Sequence, residues 1–222
     1  MVFWISWLLA VPFVFIILPT RIIGKKYVKS VKNSAAITSS NHQSLGDPII
    51  LKAWVNPSYK LMAKESLFRR KFSAWYLSKL GAYPVKRGEN DIGAVRKTLG
   101  YLKDNKHLVI FPEGTRVKTG DMSELKNGLV MFALKSDCYI IPAIFKKRPM
   151  PFRFNTLLIG KPFKFSDMDE FKGQKVSREL MDKASEVLSD KMKHLKEISV
   201  KDYKKLVKED YRKMKKVNGD KK

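Results

Sequence analysis

The sequence predicts an α/β domain with a mostly parallel central sheet flanked by helices, an apolar membrane-anchoring helical segment before it, and a basic helical tail after it. Short apolar runs rich in β-branched residues alternate with longer stretches of helical periodicity, which is the pattern of βαβ units. The chain begins with a long uncharged stretch and ends in a run rich in lysine. These features divide the 222 residues into an anchor with a basic linker (1–33), a core (34–165) and C-terminal amphipathic and basic helices (166–222).

The segment Met1–Pro19 is apolar apart from Ser6. As a helix it would be about 28 Å long, close to the thickness of the hydrocarbon core of a bilayer. The basic residues follow this segment instead of preceding it, which favours a retained anchor over a cleaved signal peptide. The same asymmetry places the rest of the chain on the cytoplasmic side of a membrane. A spanning helix and a re-entrant helix kinked at Pro12 both fit.

The elements of the core follow in order from apolar runs and helix-start signals. The predicted strands are 35–38, 59–64, 82–86, 108–111, 140–145 and 156–159, and the predicted helices are 48–54, 66–80, 91–104, 126–135 and 176–195. Asp47 is expected to be the N-cap of the first of these helices, with Pro48 at its first position. The alternation of the two kinds of element predicts the largely parallel sheet.

The net charge of +24 calls for an anionic partner. Nucleic acid, an anionic membrane and phosphorylated substrates are the candidates. The charge is spread along the chain and no nucleic-acid motif occurs, so we expect a membrane surface and no nucleic acid. The single cysteine, Cys138, excludes an intramolecular disulfide and a cysteine-based metal cluster, and we expect it to be buried.

The first candidate site is the turn Asn41–Asp47, with the sequence NHQSLGD. Histidine titrates near neutral pH and can take a proton from a hydroxyl. A carboxylate on the other ring nitrogen fixes the tautomer and stabilises the imidazolium as it forms. The turn contains Gly46, so that Asp47 can fold back onto His42. Taken alone, the same residues also fit a surface turn.

Two more polar segments follow predicted strands, where ligands of α/β sheets gather. In Phe111–Arg116, with the sequence FPEGTR, the arginine suits a phosphate or carboxylate and Gly114 permits close backbone approach. An ion pair between Glu113 and Arg116 that stabilises a tight loop is the alternative. In the turn VKRG, Arg87 is a candidate phosphate ligand, with a solvated charge pair as the alternative.

In their order and spacing, NHQSLGD, VKRG, FPEGTR and the segment IIPAIF resemble the glycerolipid acyltransferases, whose hallmark is N-H-x-x-x-x-D followed by F-P-E-G-T-R. The resemblance covers residues 34–165 and is nearest to the 1-acyl-sn-glycerol-3-phosphate acyltransferases. It implies a fatty-acyl thioester donor on coenzyme A or acyl carrier protein. It also implies a lysophospholipid acceptor, lysophosphatidic acid, whose sn-2 hydroxyl is acylated to give phosphatidic acid.

Residue roles follow from the motifs and this resemblance. His42 is the expected general base and Asp47 its partner, without a covalent acyl-enzyme. Ser44 is expected to stabilise the turn and not to act as a nucleophile. The expected substrate-binding residues are Asn41, Arg87, Glu113, Gly114, Thr115 and Arg116. No cofactor or metal is expected, and His107 and His194 are expected to be solvated.

Three alternative functions stay open. A related acyltransferase acting on glycerol 3-phosphate or another lysophospholipid would differ only in its acceptor pocket. A basic nucleic-acid-binding protein would bind DNA in a salt-sensitive manner. A non-catalytic membrane scaffold is disfavoured by the retained motif residues.

Overall fold

A computed structural model describes residues 12–86, 91–117 and 125–219. Within them seven strands form one sheet in the order β1-β7-β6-β2-β5-β3-β4. The strands are β1 (Thr20–Ile23), β2 (Ala36–Ser40), β3 (Lys60–Lys64), β4 (Ala82–Val85), β5 (His107–Ile110), β6 (Tyr139–Phe145) and β7 (Asn155–Ile159). The helices are α1 (Lys25–Ser30), α2 (Gly46–Ile50), α3 (Lys71–Lys79), α4 (Ile92–Lys103), α5 (Gly128–Ser136), α6 (Arg178–Glu197) and α7 (Val200–Gly219).

All strand pairings in the described part of the chain are parallel except that of β6 with β7. The expected α/β fold with a mostly parallel sheet is thus confirmed. Because β2 to β6 run in one direction, their carboxyl ends share one edge of the sheet, which we call the carboxyl edge. Strand β7 runs the other way, so its first residue, Asn155, lies at this edge together with its β1 neighbour Thr20.

The centre of the sheet is buried on both faces, as expected for parallel strands covered by helices. Every residue of β2 and β5 is buried. This includes His107, so the expectation that it is solvated was wrong. The strand starts at this residue, one position earlier than predicted, and its Nε2 lies 3.0 Å from the carbonyl of Val31. Burial lowers the pKa of His107. His194 is exposed, as expected.

The sheet begins earlier in the chain than the sequence analysis predicted. Strand β1 pairs with β7, although the segment Thr20–Ile23 had been assigned to the basic linker. Gly24 ends the strand with a φ of +92°, and a Cβ there would lie 2.0 Å from the carbonyl oxygen of Ile159. Only glycine fits this close approach. Helix α1 follows, with Tyr27 buried against the core.

The apolar N-terminal segment lies mostly outside the described residues. Of it, residues 12–17 are helical. None of the helices in the described ranges combines the length and the apolar character needed to cross a bilayer. The anchor therefore stays a prediction.

Two predicted helices differ in detail from the structure. The helix expected at 66–80 is divided into a 3-10 turn, Glu65–Phe68, and α3, because Arg70 has an extended backbone. The helix expected at 48–54 is α2 followed by a π-helical turn, Leu51–Val55. Helix α2 and the turn Glu65–Phe68 each begin beside the carboxyl edge, shortly after β2 and β3 end.

The two C-terminal helices pack on the core through one face each. The apolar residues of α6 recur at helical spacing and are buried: Leu180, Ala184, Leu188, Met192 and Leu195. Helix α7 buries Tyr203 and Val207, and the Tyr203 hydroxyl donates to the carbonyl of Ile159 at 2.6 Å. The lysines between Lys201 and Lys213 are exposed, on the opposite side of the helix.

Candidate active site

The NHQSLGD turn brings His42 and Asp47 into contact at the carboxyl edge. His42 follows the end of β2, and its Nδ1 lies 2.8 Å from Oδ2 of Asp47. The Asp47 side chain is fully buried, while the His42 side chain keeps 13% of its surface exposed. The predicted folding back of the carboxylate is present in the structure. With Nδ1 bound to the carboxylate, Nε2 is the ring nitrogen available to a ligand.

Asp47 is not the N-cap of α2, contrary to expectation. The helix begins at Gly46, so Asp47 lies inside its first turn, and its carboxylate is directed back onto the preceding turn. Its Oδ2 accepts from the backbone N–H groups of Gln43 and Ser44 at 2.6 and 2.8 Å. Its Oδ1 accepts from the Ser44 hydroxyl at 2.7 Å, so the expected turn-stabilising contact of this serine is present. These donors fix the carboxylate against the imidazole.

The FPEGTR segment and the residue after it, Val117, make three contacts with His42. The Phe111 ring stacks on the imidazole with centroids 4.2 Å apart. The backbone N–H of His42 donates to Oε2 of Glu113 at 3.2 Å, and its carbonyl accepts from the N–H of Val117 at 2.8 Å. The Val117 contact uses only backbone atoms, so no pattern of side chains predicts it. Glu113 thus holds the NHQSLGD turn through the backbone of His42.

Glu113 is nearly fully buried. Burial raises its pKa to about 7, and the nearby Asp47 adds to this, whereas the His42 N–H and Lys196 oppose it. The carboxyl group is therefore close to half-ionised near neutral pH.

The remaining FPEGTR residues turn outward. Gly114 has a φ of +70°, and its N–H donates to the Phe111 carbonyl at 3.0 Å, closing a tight turn. Thr115 and Arg116 are exposed, and Arg116 borders a cavity beside His42. Arg87, the other predicted phosphate ligand, lies outside the described residues.

Asn41 is expected to bind substrate, but in the structure its side chain bonds to the protein backbone. Its Nδ2 donates to the carbonyl of Phe145 at 3.1 Å, and its Oδ1 accepts from the N–H of the same residue at 2.8 Å. The side chain is buried and both of its polar atoms are used. Asn41 therefore joins the ends of β2 and β6 and positions the turn.

Two largely apolar cavities meet at His42, Phe111 and Met62. One, of about 450 Å³, lies between the sheet and helices α4 and α5; other residues lining it include Val85, Val95, Lys126, Leu129 and Phe132. The other, of about 500 Å³, lies between α2 and α3; other residues lining it include Ile49, Lys64, Leu67, Leu77 and Arg116. Their walls suit hydrocarbon, and their lysine and arginine side chains suit anionic groups. Sequence reasoning missed Met62 and Lys126, which stand in no recognisable motif.

Within the described residues, no three histidine, cysteine or acidic side chains are grouped to hold a metal ion. The expectation that no metal takes part stays a prediction. Cys138 is buried, as expected, and burial raises the pKa of its thiol to about 11.

Comparison with known sequences gives a consistent set of relatives. The acyltransferase family model matches residues 20–146, from β1 to just past β6. A 1-acyl-sn-glycerol-3-phosphate acyltransferase from Bacillus subtilis is 30% identical over 147 residues, covering 61% of this chain and 70% of that protein. A chloroplastic 1-acyl-sn-glycerol-3-phosphate acyltransferase from Arabidopsis thaliana is 30% identical over 112 residues, covering 50% of this chain and 31% of that protein. The chain thus spans less than a third of the length of the chloroplastic relatives that it matches.

Among solved structures, the 1-acyl-sn-glycerophosphate (LPA) acyltransferase PlsC from Thermotoga maritima has the same fold. The TM-score is 0.60 at 24% identity, over 81% of this chain and 73% of that chain. The family match extends over more than half of the sequence and includes both halves of the site around His42. This chain belongs to the acyltransferase family.

Proposed function

We propose that this protein transfers a fatty-acyl chain from a thioester to the sn-2 hydroxyl of lysophosphatidic acid, giving phosphatidic acid. The observation that carries the proposal is the 2.8 Å contact between His42 Nδ1 and Asp47 Oδ2 at the meeting point of two apolar cavities. The names of the Bacillus subtilis and Arabidopsis thaliana relatives support the choice of acceptor.

In the proposed reaction His42 is the general base. Asp47 accepts the Nδ1–H, so that Nε2 takes the proton of the acceptor hydroxyl as its oxygen attacks the thioester carbonyl. The carboxylate stabilises the imidazolium that forms. The tetrahedral intermediate then collapses, the C–S bond breaks, and His42 returns the proton to the departing thiolate. The acyl chain passes directly between the two substrates.

The residues around His42 offer polar contacts for the acceptor phosphate and apolar contacts for the hydrocarbon chains. Arg116 binds the phosphate of the acceptor, and the apolar cavities take the hydrocarbon chains. A second phosphate contact from Arg87 rests on the motif alone. Glu113 keeps His42 in position through the backbone N–H. Gly114 and Thr115 shape the loop on the substrate side.

The proposal includes the setting of the reaction. The donor is acyl-coenzyme A or acyl carrier protein, and the acceptor lies in the cytoplasmic leaflet of a membrane. The net charge of +24 suits an anionic lipid surface, with the apolar N-terminal segment as the anchor.

Replacement of the base is the first test. His42→Ala should lower the rate of acyl transfer by about 10²- to 10⁴-fold, the usual contribution of a general base. The purified protein would be assayed with lysophosphatidic acid, glycerol 3-phosphate and lysophosphatidylcholine, each with both thioester donors. Unchanged thermal unfolding of the variant is the control for folding. Full activity of His42→Ala would refute the proposed role of His42. Preference of the original protein for another acceptor would favour an acyltransferase that acts on glycerol 3-phosphate or another lysophospholipid.

Replacement of the neighbouring serine tests the direct transfer. Ser44→Ala removes one hydrogen bond to the Asp47 carboxylate, and we expect about a tenfold loss of rate. The two backbone N–H groups still hold the carboxylate. Loss of activity as complete as in His42→Ala, in a folded variant, would indicate an acyl-serine intermediate instead.

A further inference from the structure

The loop between β6 and β7 exposes apolar side chains to an unusual degree. The Phe152 side chain is 75% exposed and that of Phe154 is 89% exposed. Single exposed apolar residues are ordinary, but two large aromatic residues two positions apart form an apolar patch that suits a binding partner. The loop, which we call the aromatic loop, is residues 147–154, with the sequence KRPMPFRF.

The backbone of the aromatic loop is fixed although its side chains project. The N–H of Met150 donates to Oδ1 of Asn155 at 3.1 Å, and the N–H of Phe152 donates to the carbonyl of Ile17 at 2.6 Å. Pro149 is buried. Phe152 has a φ of +57°, a strained conformation that persists only where the surrounding structure imposes it. The fold therefore holds the two phenylalanines outward.

The aromatic loop lies at the carboxyl edge, next to the residues that lead to the catalytic turn. Its hydrogen bond to Ile17 joins it to the helical residues 12–17, where Phe13 and Ile16 are also strongly exposed. The side chain of Leu18 lies beside Gly46 of the NHQSLGD turn. Leu18 is itself buried, so it connects this exposed apolar surface by packing to the turn that contains His42.

The charges of the aromatic loop indicate what covers it. Lys147, Arg148 and Arg153 are all exposed, and the loop contains no acidic residue. Aromatic rings interspersed with basic side chains suit the interface of an anionic lipid leaflet, where the rings lie at headgroup depth and the cations meet the phosphates. Helix α7 is also basic, but its Tyr203 and Val207 are already buried against the core.

We propose that the aromatic loop inserts into the headgroup region of an anionic membrane and turns the carboxyl edge, with His42, towards the lipid surface. This inference rests on the proposed function only in that the acceptor is a membrane lipid. It adds a second contact, close to the site, to the one expected from the N-terminal segment.

A fluorescent label at the loop tests the insertion directly. Cys138 is buried and its thiol has a raised pKa, so a new cysteine in Phe154→Cys can be labelled selectively with an environment-sensitive dye. With phosphatidylcholine vesicles containing phosphatidylglycerol, the emission should shift to the blue and become protected from an aqueous quencher. The control is Lys172→Cys. Lys172 is exposed and follows the turn Phe165–Asp167, and this part of the chain lies near the amino end of β6. A label at 154 that stays accessible to quencher, or responds only to acyl carrier protein, would overturn the proposal.

A functional comparison separates this proposal from the proposed reaction. In Phe152→Asn/Phe154→Ser, asparagine tolerates the positive φ, and transfer to lysophosphatidic acid in anionic vesicles should fall about tenfold. Transfer to a dispersed short-chain acceptor should stay within about twofold of the original protein. Phe154→Trp, which keeps an interfacial aromatic residue, should retain activity on vesicles.

Equal activity of the double variant and the original protein on vesicles would refute insertion and leave the reaction standing. Absence of transfer to every acceptor, with a blue shift at position 154, would refute the reaction and leave insertion standing.

Discussion

At the scale of single residues, the site depends on how completely His42 is held. Its ring is bound by Asp47 on one side and stacked on Phe111 on the other, and its backbone bonds to Glu113 and Val117. If His42 is the proposed base, a side chain fixed in this way loses little conformational freedom when a substrate binds. Among the residues that hold His42, Glu113 is buried, and burial raises its pKa to about 7.

Glu113→Gln should change how stability depends on pH. The pKa of Glu113 rises from 4.5 in the unfolded chain to about 7 in the fold, so between these values the folded state binds the proton more tightly. Its stabilising contribution is therefore present below about pH 4.5 and is lost as the pH rises to about 7. Glutamine keeps an acceptor for the His42 N–H and does not ionise. We expect the free energy of unfolding of the variant minus that of the original protein to be larger, so that the variant is relatively more stable, at pH 8 than at pH 5. Denaturant unfolding at both values measures this, and a constant difference would contradict it.

At the scale of elements, the site is assembled from the carboxyl ends of β2, β5 and β6. Strand β2 supplies His42, and β5 supplies the segment that begins at Phe111. Asn41 ties the end of β2 to Phe145 at the end of β6. The position of the NHQSLGD turn thus depends on a contact between two neighbouring strands, and not on the turn sequence alone.

Asn41→Ala should therefore destabilise the fold. It leaves the N–H and the carbonyl of the buried Phe145 without their partners, at a cost of about 2–4 kcal/mol in the free energy of unfolding. Asn127→Ala is a matched control, because Asn127 also makes two side-chain hydrogen bonds, to Asp182 and Ser185, but at the surface. Equal stability of the two variants in denaturant unfolding would contradict the proposed positioning role.

At the scale of the whole molecule, the excess of positive charge and the exposed apolar surface favour the same partner. The net charge of +24 attracts an anionic leaflet, and the aromatic loop gives the attraction a defined point of contact. Helix α7 contributes mainly charge, since its Tyr203 and Val207 are packed on the core.

Turnover on anionic vesicles should consequently depend on salt. Between about 0.1 M and about 1 M salt, the Debye length shrinks from about 10 Å to about 3 Å, and the attraction to the leaflet is screened. We expect transfer to lysophosphatidic acid in such vesicles to fall several-fold over this range, and transfer to a dispersed short-chain acceptor to fall less. Rate measurements with both acceptors test this, and the same salt dependence for both would contradict it.

Much of the fold could be read from local pattern. The apolar runs predicted β2 to β7, and the helix signals predicted α4 to α6 within a few residues. β1 was missed because Thr20–Ile23 continues an apolar segment, and strand pairing with a distant partner leaves no local mark. His107 was misjudged because a polar residue next to Lys106 gives no sign that it starts a central strand.

The sequence by itself determined the α/β class, the NHQSLGD and FPEGTR motifs and the basic excess, because these depend on residue type and spacing along the chain. Tertiary structure alone decided that the Asn41 side chain bonds to the backbone of Phe145 and that Glu113 holds the NHQSLGD turn through His42. These contacts join residues 104 and 71 positions apart. Residues so far apart become neighbours only when the sheet forms, because the pairing of strands sets which side chains are buried, exposed or hydrogen-bonded to each other.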